Sequence, residues 1–222
     1  MIKYILIDID GTLLDFEGAV EESIKTCSAI HGITMPHDIL DIFHPINNDL
    51  WNKIEKGELD ITGLRRIRWN TVFEKTGINY DGEKFEKDFY SELTSSAIPM
   101  EGALELLEYL SEKYVIFAAT NAETDQQICR LRKCGMLPYL QGIFTSEMLG
   151  EAKPSPLFFE KCLLELGSPE KESVIMIGDS EIADIFGAHS VNIKTCQFSK
   201  SGAFSPLADF KVTELESIKK IL

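Results

Sequence analysis

The chain has 222 residues, 44% of them apolar, with 36 Asp and Glu against 22 Lys and Arg and a formal net charge of −14. This length buries a sizeable core and accommodates one large domain or a domain carrying an inserted subdomain. The acidic balance opposes nucleic-acid polymers and anionic membranes as partners, and no apolar stretch approaches the roughly 18 residues of a membrane span.

The first predicted element is the apolar run Tyr4–Ile7, of strand type, which leads into Asp8-Ile9-Asp10-Gly11-Thr12. Strand side chains alternate in direction, so Asp8 and Asp10 leave on the same side. Their charges repel unless a proton or a cation sits between them. Gly11 allows a tight turn that brings backbone N–H groups close to an anion. Carboxylates, a cation and anion-binding amides suggest phosphate-ester chemistry; the plainer alternative is a strand end whose aspartates solvate a turn.

Residues 16–97 read as helical. Val20, Ser23, Ile24, Cys27 and Ile30 mark one face, closed by His31-Gly32. Thr62 is the expected N-cap before Leu64, Ile67, Trp69 and Phe73, with Gly77 as the stop. Phe85, Phe89, Tyr90 and Leu93 mark another helix. From about residue 98 onward, short apolar runs alternate with helical patterns. The runs are Val115–Ala119, Ile143–Thr145, Val174–Ile177 and, less clearly, Asn192–Cys196. Ala103, Leu106, Leu107 and Leu110 keep helical spacing, as do Phe158, Cys162 and Leu166; Gly135 and Gly167 sit where helix C-terminal glycines belong.

This alternation predicts an α/β fold: an open, mostly parallel Rossmann-like sheet with helices on both faces, formed by residues 1–15 and 98–222. The first strand is its expected central member, and residues 16–97 form an inserted all-α cap. The cap is expected over the sheet's carboxyl edge, where open α/β folds bind ligands. Leu13–Phe16 and about residues 95–100 are then its linkers and candidate hinges. The N-terminal apolar run is too short for a signal peptide, and the cytoplasm is the expected compartment. Cys27, Cys129, Cys134, Cys162 and Cys196 form no Cys-x-x-Cys pair, so neither a disulfide framework nor a zinc site is indicated.

Three later segments repeat the logic of the first. Thr120 and Asn121 stand at the carboxyl end of a strand, where either can donate to a phosphoryl oxygen or cap the following helix. Lys153 lies in the rigid frame Glu151-Ala152-Lys153-Pro154-Ser155-Pro156; a solvated surface lysine is the alternative. Gly178-Asp179 follows a buried strand. Asp184 comes five residues after Asp179, able to reach toward a metal or toward Lys153, or to stand as an exposed helix charge.

In this order, Asp-x-Asp-Gly-Thr, Thr-Asn, Lys-Pro and Gly-Asp-x-x-x-x-Asp, the chain resembles the haloacid dehalogenase-like superfamily, most of whose members are phosphohydrolases. The resemblance covers the whole core of about 140 residues, and the insert resembles the helical cap of one large subgroup. It implies a Mg²⁺-dependent phosphatase acting on a small phosphorylated metabolite. Asp8 would be the nucleophile that forms an aspartyl-phosphate, and Asp10 the general acid and base. Asp8, Asp179 and the backbone carbonyl of Asp10 would hold the metal. Thr120, Asn121 and Lys153 would bind the phosphoryl group, with Asp184 supporting the metal site or orienting Lys153.

Asp10 separates the chain from the dehalogenases, which need no acid for an alkoxide. A phosphonatase would need a cap lysine as Schiff base, and nothing marks Lys25, Lys53, Lys56 or Lys75 as buried. A sugar phosphomutase of the β-phosphoglucomutase type uses the same four motifs. In the insert, Asn47, Asn48 and Trp51, with Arg65, Arg66 and Arg68, are similar to the pyrimidine 5′-nucleotidase-like branch. Asn47, Asn48 and Trp51 would bond and stack a nucleobase; the alternative is a cap helix with a buried tryptophan and solvated arginines. A further alternative, from another class, is a non-catalytic partner-binding protein using its acidic surface and the exposed-looking Phe198–Phe204 segment.

Overall fold

The computed structural model describes residues 1–222, the side chain of Glu55 excepted. Its two compact units are Met1–Phe16 with Ala97–Leu222, and Glu17–Ser96.

The second unit is built from α1 (Phe16–His31), α2 (Ile39–Glu55), α3 (Ile61–Thr76) and α4 (Gly82–Ser95). In α1, Val20, Ser23, Ile24 and Cys27 are buried as their spacing predicts, but Ile30, in the last turn, is 60% exposed. The sequence reading had no element over α2. Pro45 lies inside it, yet Ile39, Phe43, Ile46 and Leu50 recur at intervals of three and four and are buried. The N-cap of α3 is Asp60, not Thr62: its extended backbone lets the carboxylate accept from Gly63 N at 2.7 Å. Ile67 of α3 is exposed rather than core-facing. Trp69 packs among Phe43, Phe73, Phe85 and Phe89, its ring centroid 4.4 Å from that of Phe85.

The first unit holds a sheet formed by β1 (Tyr4–Ile7), β2 (Val115–Thr120), β3 (Gly142–Thr145), β4 (Val174–Gly178), β5 (Lys194–Phe198) and β6 (Phe210–Val212). The spatial order is β3-β2-β1-β4-β5-β6 and every pairing is parallel. β1 is therefore central, covered on both faces, which is why it is continuously apolar rather than alternating. Ile5 and Ile7 join Ile116, Ile175 and Ile177 in one core with Leu106, Leu107 and Leu110 of α5 (Ala103–Ser111) and Leu131 of α6 (Thr124–Lys133). After the short α7 (Ser146–Leu149), α8 (Pro156–Glu165) covers the other face. There Phe158, Phe159, Cys162 and Leu163 meet Leu6 and Met176. β5 begins two residues later than its predicted start and runs on to Phe198, with Asn192 in the left-handed region at φ 63°. Phe198 is buried and Phe204 half-buried, so the segment offered as a partner surface is partly core. Leu13–Asp15 pairs with Ile98–Met100 through Asp15 N to Ile98 O and Met100 N to Leu13 O, at 2.8 and 2.9 Å. Among the described residues no helix is long and apolar enough to cross a membrane.

One arginine in the helical unit is not solvated. Arg68 and Glu86 are each 2% exposed and form a two-pronged ion pair, Nη2 to Oε1 at 2.6 Å and Nε to Oε2 at 3.1 Å. Burial raises the carboxyl pKa of Glu86 in spite of Arg68. Removing one partner strands a buried charge, so Arg68→Met should cost about 3–5 kcal/mol in urea unfolding. Arg68→Met combined with Glu86→Leu should regain most of that loss.

Candidate active site

The groups singled out in the core motifs meet at the carboxyl ends of the central strands, within the first unit. Asp8 extends the β1 ladder by one bond, its N–H donating to Ile177 O at 2.8 Å. Its side chain meets Lys153, whose Nζ donates to Asp8 Oδ1 at 2.6 Å, Asp184 Oδ1 at 2.6 Å and Ala119 O at 2.8 Å. All three ammonium protons are thus engaged, on a lysine only 3% exposed. Lys153 is held in turn by Asn121: Nδ2 donates to Lys153 O, and Lys153 N donates to Asn121 Oδ1, both at 2.8 Å. The side-chain amide of Asn121, expected on a phosphoryl group, is committed to this backbone pair.

Asp184 is fully buried in the wide helical turn Glu181–Phe186, where Ile185 N reaches back five residues to Ser180 O at 3.1 Å. Its Oδ2 accepts from Ser180 N. It is therefore no exposed helix charge. Asp179 accepts from Thr12 Oγ1 at 3.2 Å, and its carbonyl accepts from Gln197 Nε2 at 3.1 Å. Two glycines make room for these carboxylates. A Cβ on Gly178 would lie 2.1 Å from Asp184 Oδ2, and one on Gly11, at φ +92°, would lie 2.5 Å from Asp179 Oδ2.

Asp8, Asp179 and Asp184 each offer a carboxylate oxygen within 4.8 Å of the others, an all-oxygen set able to hold a metal ion. One ammonium leaves such a cluster strongly negative, and the titration behaviour reflects it. Burial, partly offset by Lys153 and reinforced by Asp184 and Asp179, raises Asp8 well above the ordinary carboxylate range. Asp179 is pushed up to about 7 by burial and by Asp184. Lys153 loses to burial but gains more from Asp184 and Asp8, and stays firmly charged. An unmet demand for positive charge among hard oxygen donors is what a divalent cation satisfies.

Asp10 differs from the expectation of a shared pair. Ile9 stays in the same core as Ile5 and Ile7, so the alternation persists. Asp8 and Asp10 nevertheless have separate cations. Asp10 Oδ1 accepts from Arg130 Nη1 at 2.6 Å and Oδ2 from Gln127 Nε2 at 2.5 Å. The metal role that the resemblance implies for Asp10 falls on its backbone carbonyl, which this pairing does not engage. Thr120, 2% exposed, accepts at Oγ1 from Ala122 N and Gln127 Nε2, which leaves its own proton to donate. Sequence reasoning missed Gln127, Arg130, Thr12 and Gln197. The first two stand three apart on α6, one helical face, but that spacing alone also fits a solvated pair.

In the helical unit the proposed base-binding residues are dispersed. Asn47 is buried and its Oδ1 accepts from Arg68 Nη1 at 2.9 Å. Asn48 is exposed and Trp51 half-buried; the fully buried tryptophan is Trp69.

The parallel sheet carries a carboxylate cluster with a buried lysine at its carboxyl edge, and the comparisons give this α/β protein its class. The haloacid dehalogenase-like hydrolase family model matches residues 2–192, and the chain belongs to that family. It is 33% identical to the pyrimidine 5′-nucleotidase PynA of Streptococcus pneumoniae, over 89% of this chain and 84% of that protein. It is 25% identical to the pyrimidine 5′-nucleotidase YjjG of Escherichia coli, over 87% and 84%. A crystal structure of the HAD-hydrolase YfnB of Bacillus subtilis bound to magnesium superposes with a TM-score of 0.91 at 26% identity, covering 100% of this chain and 98% of that one.

The raised pKa of Asp179 makes stability depend on pH in the metal-free protein. Between its ordinary value of about 4 and about 7 the folded state binds the extra proton. The contribution is therefore complete below about pH 4 and lost as pH rises through 7. With EDTA present, the melting temperature should fall over that window, and fall less for Asp179→Asn. Mg²⁺ should restore more stability at pH 8 than at pH 5.

Proposed function

We propose that the chain hydrolyses small phosphate monoesters through an aspartyl-phosphate on Asp8, with Mg²⁺ as cofactor. The observation that carries this reading is the buried Asp8–Lys153–Asp184 arrangement beside Asp179, a nucleophilic carboxylate with a fixed cation and a demand for a second one. When bound, Mg²⁺ supplies the charge that lets Asp8 and Asp179 be ionised together and stabilises the phosphoryl oxygens. Asp8, Asp179 and the Asp10 carbonyl would hold it.

In the first half-reaction an Asp8 oxygen bonds to phosphorus as the ester P–O bond breaks, and Asp10 gives its proton to the leaving alkoxide. Negative charge then passes from the Asp8 carboxylate to the phosphoryl oxygens. Lys153 can follow it by exchanging its Asp8 bond for a phosphoryl oxygen while Asp184 and Ala119 keep it in place. Thr120 donates its free hydroxyl proton to the same group. In the second half a water oxygen bonds to phosphorus, its proton passes to Asp10, and the Asp8–phosphorus bond breaks. The products are an alcohol and inorganic phosphate.

The names of PynA and YjjG support nucleoside 5′-monophosphates as the substrate class. Trp51 is the remaining candidate to stack a base, a contact of about 1–3 kcal/mol in nucleic-acid binders. The free state of all five cysteines supports a reducing, cytoplasmic setting.

The test is phosphate release from pyrimidine and purine monophosphates, sugar phosphates and an aryl phosphate, with Mg²⁺ or EDTA, for wild type, Asp8→Asn and Trp51→Ala. Mg²⁺-dependent release, reduced at least about a thousandfold in Asp8→Asn, is expected, with pyrimidine nucleotides preferred. Trp51→Ala should lower activity on nucleotides and spare the aryl ester. No release from any ester by folded protein would overturn the phosphatase reading; equal loss on all esters would overturn the stacking role.

A further inference from the structure

Beyond the phosphoryl-transfer groups, two buried polar side chains hold Asp10. Gln127 is fully buried and Arg130 is 2% exposed. Arg130 Nη1 donates to Asp10 Oδ1 and, at 3.1 Å, to Gln127 Oε1. Gln127 Nε2 donates to Asp10 Oδ2 and, at 3.4 Å, to Thr120 Oγ1. The amide has one satisfying orientation, its oxygen toward the guanidinium and its nitrogen toward two acceptors.

Burying a guanidinium is costly unless it is paired. Here a partner is not another core residue but a carboxylate still 26% exposed at the end of β1. With one fixed donor on each oxygen, rotation of that carboxylate about its Cβ–Cγ bond is stopped. Each oxygen has two lone pairs, so each keeps one for proton exchange. Through Gln127 the same network also fixes the Thr120 hydroxyl.

We propose that Gln127 and Arg130 are positioning residues for the acid–base step, aiming the Asp10 carboxylate and coupling its orientation to Thr120. The proposal rests on the phosphatase reading above. Thr120 keeps its shorter bond from Ala122 N when Gln127 is removed, so the loss of either residue falls chiefly on events in which Asp10 moves a proton. An alkoxide leaving group takes a proton as the ester P–O bond breaks, whereas a nitrophenolate leaves without one. In the second half-reaction water gives up a proton whatever the ester was.

The experiment is stopped-flow and steady-state hydrolysis of nitrophenyl phosphate and glycerol phosphate by wild type, Arg130→Met, Gln127→Leu and Arg130→Lys, with Mg²⁺. Arg130→Met should release nitrophenol in a rapid burst stoichiometric with enzyme, then turn over about ten- to hundredfold more slowly than wild type. On glycerol phosphate it should be slow from the start. Arg130→Lys, which keeps a donor for Oδ1, should recover most of the rate. Gln127→Leu should show the same burst and slow phase independently, which covers a failure of Arg130→Met to fold. Equal loss on both esters without a burst, or no loss in either variant, would overturn the proposal. Inactivity of wild type on both esters would instead overturn the phosphatase reading beneath it.

Discussion

A single buried ammonium ties the centre of the first unit together. Lys153 Nζ reaches Ala119 on β2, Asp8 just past β1 and Asp184 just past β4, so one cation joins the ends of the three adjacent central strands. Those strands would otherwise deliver carboxylates to an apolar edge with nothing to balance them. The ion pair is also a packing constraint. Asn121 fixes the Lys153 backbone, Gly178 makes way for Asp184, and the wide turn Glu181–Phe186 brings Asp184 within reach. Each of these features is costly or unusual alone, and together they serve one charge balance.

That balance is local and incomplete, because the cluster keeps more carboxylates than cations. A chain of net charge −14 sets two buried cations, Lys153 and Arg130, against separate aspartates of its first motif. Asp8 and Asp10 thereby acquire different surroundings although they are only two residues apart. Asp8 shares its cation with Asp184 in a crowded carboxylate cluster. Asp10 has a guanidinium and an amide and remains partly open to solvent. Two similar side chains are given distinct chemistry by what α6 and the Lys153 segment place beside them.

Much of this was legible in the sequence because it depends on chain-local features. Apolar runs ending in Asp8 and Asp179, the glycines beside them, and the order of the four motifs point to a parallel sheet and to Lys153 and Asp184. What local periodicity cannot give is where a side chain stops. Ile30 and Ile67 have the right spacing but are exposed, and Asp60, two residues before the expected Thr62, caps its helix. Pro45 disguised α2 although the buried positions around it keep helical intervals. Asn121, Asn47, Gln127 and Arg130 acquire their roles from partners 21 to 120 positions away, and no spacing rule encodes such meetings.

The paired segments Leu13–Asp15 and Ile98–Met100 bear on how the helical insert is joined to the sheet unit. The chain leaves the sheet unit and returns to it at residues already joined by backbone hydrogen bonds. From the standpoint of the sheet, the intervening helices are a loop whose ends are clamped, and lengthening a closed loop costs little entropy. The backbone bonds that close this loop are made by residues of the sheet unit alone. Such a junction is a socket: the sheet unit is closed by its own backbone at the point where the helical module enters and leaves.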